Sequence, residues 1–246
     1  MTSLLTLRGR LNSFSASCRY ATAIAAALSL VAAAPAEATA EPPVPKYERS
    51  LPEADVLIDV GHGGVDGGAH HGELLEKDIN LAVAKRLYLM LGHRGVSAVM
   101  NRTGDYALSE ENRWHVSSSR HRKDLSQRRQ LSQEIPVRML VSIHVNWSGS
   151  SRANGPLVLH QREGRSALLA AFLQDAMNDA YNGISRSPKI GRPYFLLNNV
   201  HRPAVIIELG FISSPEDRAK LTDPRWQQRI ATAIADGIRQ YALVVE

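Results

Sequence analysis

The sequence predicts an α/β fold: a single domain with a mainly parallel twisted sheet and helices on both faces. Three observations carry this. Short apolar runs of strand length recur at 56–60, 139–143 and 204–207, continuous rather than alternating, as strands buried on both faces read. Stretches with apolar residues at helical spacing separate them, and strands that alternate with helices favour parallel pairing. The runs also end alike, the first in Gly61-His62, the second in His144 and the third in Glu208. Ligands of open α/β sheets gather outside the carboxyl ends of the strands, so three distant stretches bring metal-binding side-chain types to one edge.

Residues 53–60 form the first expected strand. The glycines in Gly61-His62-Gly63-Gly64-Val65-Asp66-Gly67-Gly68 then let a loop turn sharply and approach a ligand closely. From Asp78 onward, Ile79, Val83, Leu87 and Met90 mark one face of a helix that stops at Gly92 or Gly95. Glu76 sits just ahead of that helix or in its first turn. Residues 96–100 read as a second strand, 104–123 as an irregular polar and basic stretch, and 125–134 as a short helix. The strand ending at His144 follows, then a Gly/Ser/Asn loop over 148–155 and a short strand over 157–160. Ala167, Leu168, Ala171, Phe172, Met177 and Ala180 mark the next helix, and 194–197 and 204–208 read as two further strands. The last helix opens with Asp223 as its cap and Pro224 in its first turn, where a missing N–H costs nothing. Its buried stripe is Trp226, Ile230, Ala233, Ile234 and Ile238.

The chain has 246 residues and a formal net charge of +5, but residues 1–40 do not read as part of the domain. Arg8, Arg10 and Arg19 precede an apolar stretch at 21–34, and Ala38-Thr39-Ala40 or Ala36-Glu37-Ala38 offers the small residues a signal peptidase needs. About 14 apolar residues fall short of the roughly 20 that span a bilayer. Residues 1–40 are therefore read as a cleaved export signal, and the mature protein as extracytoplasmic, in the periplasm or cell wall. Prolines 42, 43 and 45 make 41–52 a stiff extended leader, and 53–246 is the length of one ordinary domain. Cys18 falls within the signal, so the mature chain has no thiol and holds any metal by nitrogen and oxygen. Losing three arginines and one glutamate with the signal takes the charge from +5 to +3, a mild excess that suits an anionic cell wall without requiring one. Neither nucleic-acid binding nor stable membrane insertion after signal cleavage is indicated.

A catalytic zinc takes about three protein ligands and keeps one position for water. His62 and His144 at two strand ends, with Glu76 from beyond the first loop, make such a set. Glu208 at the third strand end is placed to take a proton from the attacking water and pass it to a leaving nitrogen. Spacing alone leaves another reading open: a histidine closing a strand is commonly a hydrogen-bonded structural residue, and a glutamate there can simply cap a sheet edge.

The stretches IDVGHGGVDGGA, EKDINLAVAKRL, TGD, LSQR, LVSIHVN and PAVIIELGFISSPEDRAKLTDPRWQQRIATAIADGI occur in that order. Together they resemble the zinc-dependent N-acetylmuramoyl-L-alanine amidases of the Amidase_3 family, over about residues 56–241. The resemblance implies one zinc ion per chain on His62, Glu76 and His144, with Glu208 as the catalytic base. It implies hydrolysis of the amide between the lactyl group of N-acetylmuramic acid and L-alanine of the stem peptide, with peptidoglycan as the partner. It also implies that Arg128, within LSQR, supports the sheet edge by pairing with a carboxylate. Two positions depart from the family: its proline before the first Gly-His is Val60 here, and the proline of its Asp-Pro-Gly is Gly67. These changes reduce loop rigidity and remove no ligand. The length and polarity of 105–125 resemble the germination-specific, spore-cortex branch. Division-type members carry an inhibitory helix between the second ligand histidine and the catalytic glutamate, whereas 144–208 here has room for a strand, one ordinary helix and a further strand. The sequence thus predicts no helical plug, and it specifies no activator.

Asn146, just past His144, is placed to orient substrate through its amide, a plain turn role being the alternative. His70 and His71, close enough to His62 in sequence to compete as ligands, read instead as solvent-exposed or substrate-rim residues, and His160 and His201 as rim or structural residues near other strand ends. Arg113, Arg120, Arg122, Lys123 and Arg129, with the acids Glu110, Glu111 and Asp124, form a basic region that either meets wall carboxylates and phosphates or faces solvent. Two competing functions are a zinc-dependent wall peptidase or carboxypeptidase and a wall-binding regulator with a dead site. The presence of all four chemical residues counts against the second.

Overall fold

β1 (Ala54–Val60) lies within the sheet with Val56, Leu57, Ile58 and Val60 screened from water. Burial of each contributes roughly 1.5–3 kcal/mol, and cover on both sides is why the run lacks alternation. Val56, Ile58 and Val60 face one helical layer while Leu57 faces the other. The computed structural model describes residues 53–110, 112–182 and 185–245. The expected export signal (1–40), the leader (41–52) and Glu111 lie outside the described residues.

The remaining strands of the main sheet are β4 (Ala98–Met100), β5 (Val137–Asn146), β6 (Leu157–His160), β7 (Lys189–Ile190) and β8 (Ala204–Phe211). Their order is β4-β1-β5-β8-β6-β7. Every pairing is parallel except that of β6 with β8, which sets Leu157 opposite Glu208 and His160 opposite Val205. A small hairpin of β2 (His70–His71) and β3 (Leu74–Leu75) follows the glycine loop.

α1 (Glu76–His93), α3 (Gly164–Ala180) and α6 (Pro224–Val245) cover one face, where Val83, Leu87, Leu173, Met177, Ile230 and Ile234 complete the larger core. α2 (Arg120–Glu134) and α4 (Phe195–Asn199) cover the other, with Leu196 and Leu197 packed on Leu140 and Ile206. Helices on both faces of a mainly parallel sheet are what the sequence predicts. The core residues lie between Ala54 and Tyr241, inside the compact unit Arg49–Glu246.

Three elements differ from expectation. Residues 194–197 enter a helix rather than a strand: four apolar residues fit either period, and the Asn198 and Asn199 side chains settle it by donating to the carbonyls of Tyr194 and Phe195. α2 begins at Arg120 rather than Leu125 because Ser119 caps it, accepting from the Arg122 N–H. α5 (Pro215–Thr222) was not anticipated, although Ser214 as cap and Pro215 in the first turn are recognisable start signals. In α6, Asp223 accepts from the Arg225 N–H as its cap. Trp226 lies at the border of the stripe, its ring 5.8 Å from that of Tyr181 and flanked by Lys220 and Arg229. Among the described residues, no helix is long and apolar enough to cross a membrane.

Candidate metal and catalytic site

Glu76 is the first residue of α1, and its carboxylate is the centre on which the other groups converge. Its Oε1 stands 2.9 Å from His144 Nδ1 and 3.2 Å from His62 Nε2, and the three ligand atoms lie within 4.8 Å of one another. The Val145 N–H donates to the same oxygen at 2.9 Å, and the Ala69 N–H to Oε2 at 2.8 Å. His62 follows the end of β1 and His144 lies in β5. Parallel register with β8 puts Glu208 directly beside His144. The strand-end reading of the sequence thus brings all four residues together.

The glycines make this density possible. The His144 ring occupies the space a Cβ on Gly61 would fill, and Gly68, at φ +68°, would place a Cβ 2.5 Å from Glu76 Oε2 and 2.7 Å from His62 Cδ2. Close approach therefore serves the site's own side chains. His62 itself has φ 59°, a left-handed conformation uncommon outside glycine. Two buried guanidiniums hold the backbone there. Arg128 donates to the carbonyls of Val60 (2.7 Å) and His62 (3.0 Å), and Arg102 to those of Gly61 (2.9 Å) and Val60 (3.2 Å). Arg128 also pairs with Asp59 at 2.8 Å and with Asp124, the carboxylate support implied for the LSQR position.

Electrostatics sharpen the roles. Burial disfavours a charged His62, but hydrogen bonds to Asp66 and Glu76 prevail and raise it from 6.5 to about 9. The bond between Asp66 Oδ2 and His62 Nδ1, 2.8 Å long, leaves Nε2 facing Glu76 and holds the Asp66 carboxyl down at about 2. Burial pushes Glu76 up, yet the hydrogen bonds to His144 and His62 carry it far below the carboxylate range. Glu208 goes the other way: burial raises it, and His144 only partly offsets this. The Tyr194 hydroxyl lies 3.4 Å from Glu208 Oε1 and is itself pushed up to about 12 by burial and by that carboxylate.

Two ring nitrogens and a carboxylate oxygen that face each other this closely need a positive charge between them, either protons on the rings or a metal cation. The His-Glu-His cluster could hold a metal, and its N/O donors fit zinc. A metal must displace the His62 proton, which gives a direct expectation. Calorimetric zinc titration in buffers of different ionisation enthalpy near pH 7.5 should show close to one proton released, where a histidine of ordinary pKa releases almost none. Release near zero would contradict the raised His62. The sign for stability follows: in the metal-free protein this interaction is fully present below about 6.5 and is lost as pH rises through about 9.

A cleft of about 540 Å3 opens beside the cluster, with Asn146 and Trp147 on one wall, Tyr194 and Phe195 on another, and His121 and Leu125 of α2 closing a third. The Asn146 side-chain oxygen accepts from the Trp147 N–H at 2.8 Å, which leaves its amide hydrogens to offer. His70 and His71 are exposed on β2 and do not line this cleft. His160 and His201 lie at the opposite edge, since β6 runs antiparallel and His201 precedes the start of β8. Of the basic region, Arg113, Arg120 and Arg122 are exposed, whereas Arg129 donates to the Asn199 carbonyl. Sequence reasoning missed Asp66, Arg102, Tyr194 and His121. A carboxylate four residues from a ligand histidine is the one signal that pointed to any of them.

The family profile described as N-acetylmuramoyl-L-alanine amidase, Amidase_3, matches residues 56–240. The chain is 33% identical over 187 residues to the germination-specific N-acetylmuramoyl-L-alanine amidase of Bacillus subtilis, covering 76% of this chain and 78% of that one. It is 32% identical over 199 residues to the probable cell wall amidase LytH of Staphylococcus aureus, covering 80% of this chain and 61% of that one. Among solved structures it is similar to the CwlD amidase from Clostridioides difficile in complex with the GerS lipoprotein. There the TM-score is 0.73 and the identity 29%, with 78% of this chain and all of that chain (100%) covered. The catalytic domain of CwlV from Bacillus (Paenibacillus) polymyxa gives a TM-score of 0.67 at 31% identity, covering 78% and 99%. With its sheet order, its convergent His-Glu-His cluster and this match along nearly the whole described domain, the chain belongs to the Amidase_3 family and is an N-acetylmuramoyl-L-alanine amidase.

Proposed function

We propose that the chain is exported and cleaves peptidoglycan at the amide between the N-acetylmuramic acid lactyl group and L-alanine, with one zinc ion held by His62, Glu76 and His144. The observation that carries this is the placement of Glu208, buried and adjacent in register to His144, facing the same cleft as the convergent ligand atoms. His62, Glu76 and His144 would hold the ion, which would supply polarisation of the scissile carbonyl and activation of water near neutral pH. Glu208 accepts the water's proton and delivers it to the leaving nitrogen of L-alanine. Its raised pKa suits both halves of that transfer, and the Tyr194 hydroxyl keeps its Oε1 oriented. Asp66 fixes the His62 ring so that Nε2 is the ligand atom, and Asn146 offers amide hydrogens to the substrate. Residues 1–40 act as the export signal, 41–52 as the leader and 53–246 as the catalytic domain.

The test is analysis of the products from digested sacculi, with metal content measured on the same sample. Amidase action releases intact stem peptides with free L-alanine amino termini and needs stoichiometric zinc. New ends inside the stem would instead identify a wall peptidase, and a metal-free sample of full activity would remove the zinc centre. The GerS lipoprotein accompanies CwlD in the related structure. With no helical plug proposed here, the purified chain is expected to turn over without an activator.

A further inference from the structure

The sheet edge opposite the catalytic residues holds a second cavity, about 460 Å3 in volume. Its walls come from the amino ends of the parallel strands, at Asp55, Arg138 and Pro203, and from the end of α6. Five arginines line it, and among the described residues the acids nearby are already engaged. Asp55 lies 3.6 Å from Arg138 and accepts from Ser97, Asp236 pairs with Arg94 at 2.8 Å, and Glu163 uses both oxygens to cap α3. Arg165, Arg202 and Arg239 are exposed, and among the described residues their guanidiniums form no ion pair. Beside them the last turn of α6 leaves Leu243, Val244 and Val245 exposed at 70%, 60% and 39%.

A soluble anion would be met by charge alone and would gain nothing from aliphatic side chains held in water. Guanidiniums ringed by exposed aliphatics match the boundary of an anionic bilayer, where phosphates meet the arginines and apolar side chains reach the acyl region. We propose that this edge of the domain docks on an anionic membrane surface, with Arg165, Arg202 and Arg239 on lipid phosphates and residues 243–245 at the acyl boundary. His62, His144 and Glu208 stand at the other ends of the same strands, so a domain seated this way turns its cleft away from the membrane. The direction towards the wall rests on the export reading, whereas the docking depends on neither zinc nor turnover.

The test uses residues 49–246, the compact unit that holds the described core, because the apolar stretch at 21–34 would bind lipid by itself. Sedimentation with vesicles should show binding to mixed phosphatidylglycerol–phosphatidylcholine and not to phosphatidylcholine alone. The triple variant Arg165→Gln, Arg202→Gln, Arg239→Gln should bind about 100-fold more weakly, at about 1 kcal/mol per arginine. Leu243→Ser with Val244→Ser should weaken binding at unchanged charge, which a purely electrostatic contact would not show. Both variants should keep the parent's melting temperature and its activity on soluble muropeptides. If the triple variant does not fold, Arg239→Gln alone, expected to lose about fivefold, decides. Equal binding of parent and variant to anionic vesicles overturns the proposal. So does loss of binding to isolated sacculi with vesicle binding intact, which would assign the surface to wall carboxylates.

Discussion

Glu208→Gln should lower kcat by about 10²–10⁴-fold while zinc stays bound at the parent's stoichiometry. The substitution preserves shape and keeps an oxygen for the Tyr194 hydroxyl, so the cleft and the ligands around Glu76 remain in place. What it removes is the capacity to accept a proton, which is needed in the transition state and not in the ground state. kcat and kcat/KM should therefore fall together, with KM little changed. His62→Ala and His144→Ala should behave differently and lose zinc and activity in one step, since each removes one of three ligand atoms that lie within 4.8 Å of one another. Metal analysis beside single-turnover rates separates the two classes. Near-normal turnover of Glu208→Gln would mean that another group accepts the proton, and the role proposed for Glu208 would fall.

The site was legible in the sequence to the extent that it depends on strand ends. Val56 to Val60, Met139 to Ile143 and Ala204 to Ile207 read as central strands because β-branched and aliphatic residues fill them, and parallel pairing then leaves His62, His144 and Glu208 on one edge. Glu76 needed the helix boundary, which the spacing of Ile79, Val83 and Leu87 fixes to within a turn. Connections between distant polar groups were not legible. Arg102, just past β4, clamps the carbonyls of Val60 and Gly61 at the end of the neighbouring β1, and no periodicity marks a residue whose partners are backbone oxygens. Between the rim and structural readings of His160 the sequence did not decide, because direction is absent from an apolar run: residues 157–160 read the same parallel or antiparallel, and pairing with β8 reverses them. Residues 194–197 failed for a related reason, as a four-residue apolar run satisfies both periods and the deciding asparagines lie beyond it. Tyr194 was hidden with them.

Arg128→Ala should destabilise the domain by about 3–5 kcal/mol, the cost of breaking a buried ion pair from one side. Arg128 is 3% exposed and Asp59 1%, so removal of the guanidinium leaves a carboxylate in the interior with only the hydroxyl of Ser142 and the amide of Asn101 as donors. The His62 carbonyl loses its donor as well, and the Val60 carbonyl keeps only the weaker bond from Arg102. The pH dependence gives the mechanism away. In the parent, burial pushes Asp59 up but Arg128, the Ser142 hydroxyl and His144 together outweigh it, so its carboxyl lies below 3.8 and its contribution is lost only as pH falls through that lowered value. Without Arg128, burial is unopposed by that cation and the folded pKa rises above the unfolded one. The penalty is then greatest at neutral pH and shrinks as acid protonates Asp59. Urea unfolding at pH 7 and pH 5 should therefore show the gap between variant and parent narrowing on acidification. Arg128→Lys should recover part of the stability, because an ammonium restores the charge but cannot span Asp59, Asp124 and two carbonyls at once. Zinc affinity should drop in both variants, since His62 holds its left-handed backbone against the carbonyl bond that Arg128 supplies. A gap of under about 1 kcal/mol at pH 7, or one independent of pH, would mean that the cluster behaves as a solvated surface pair, and the clamp on His62 would have to be assigned to Arg102 alone.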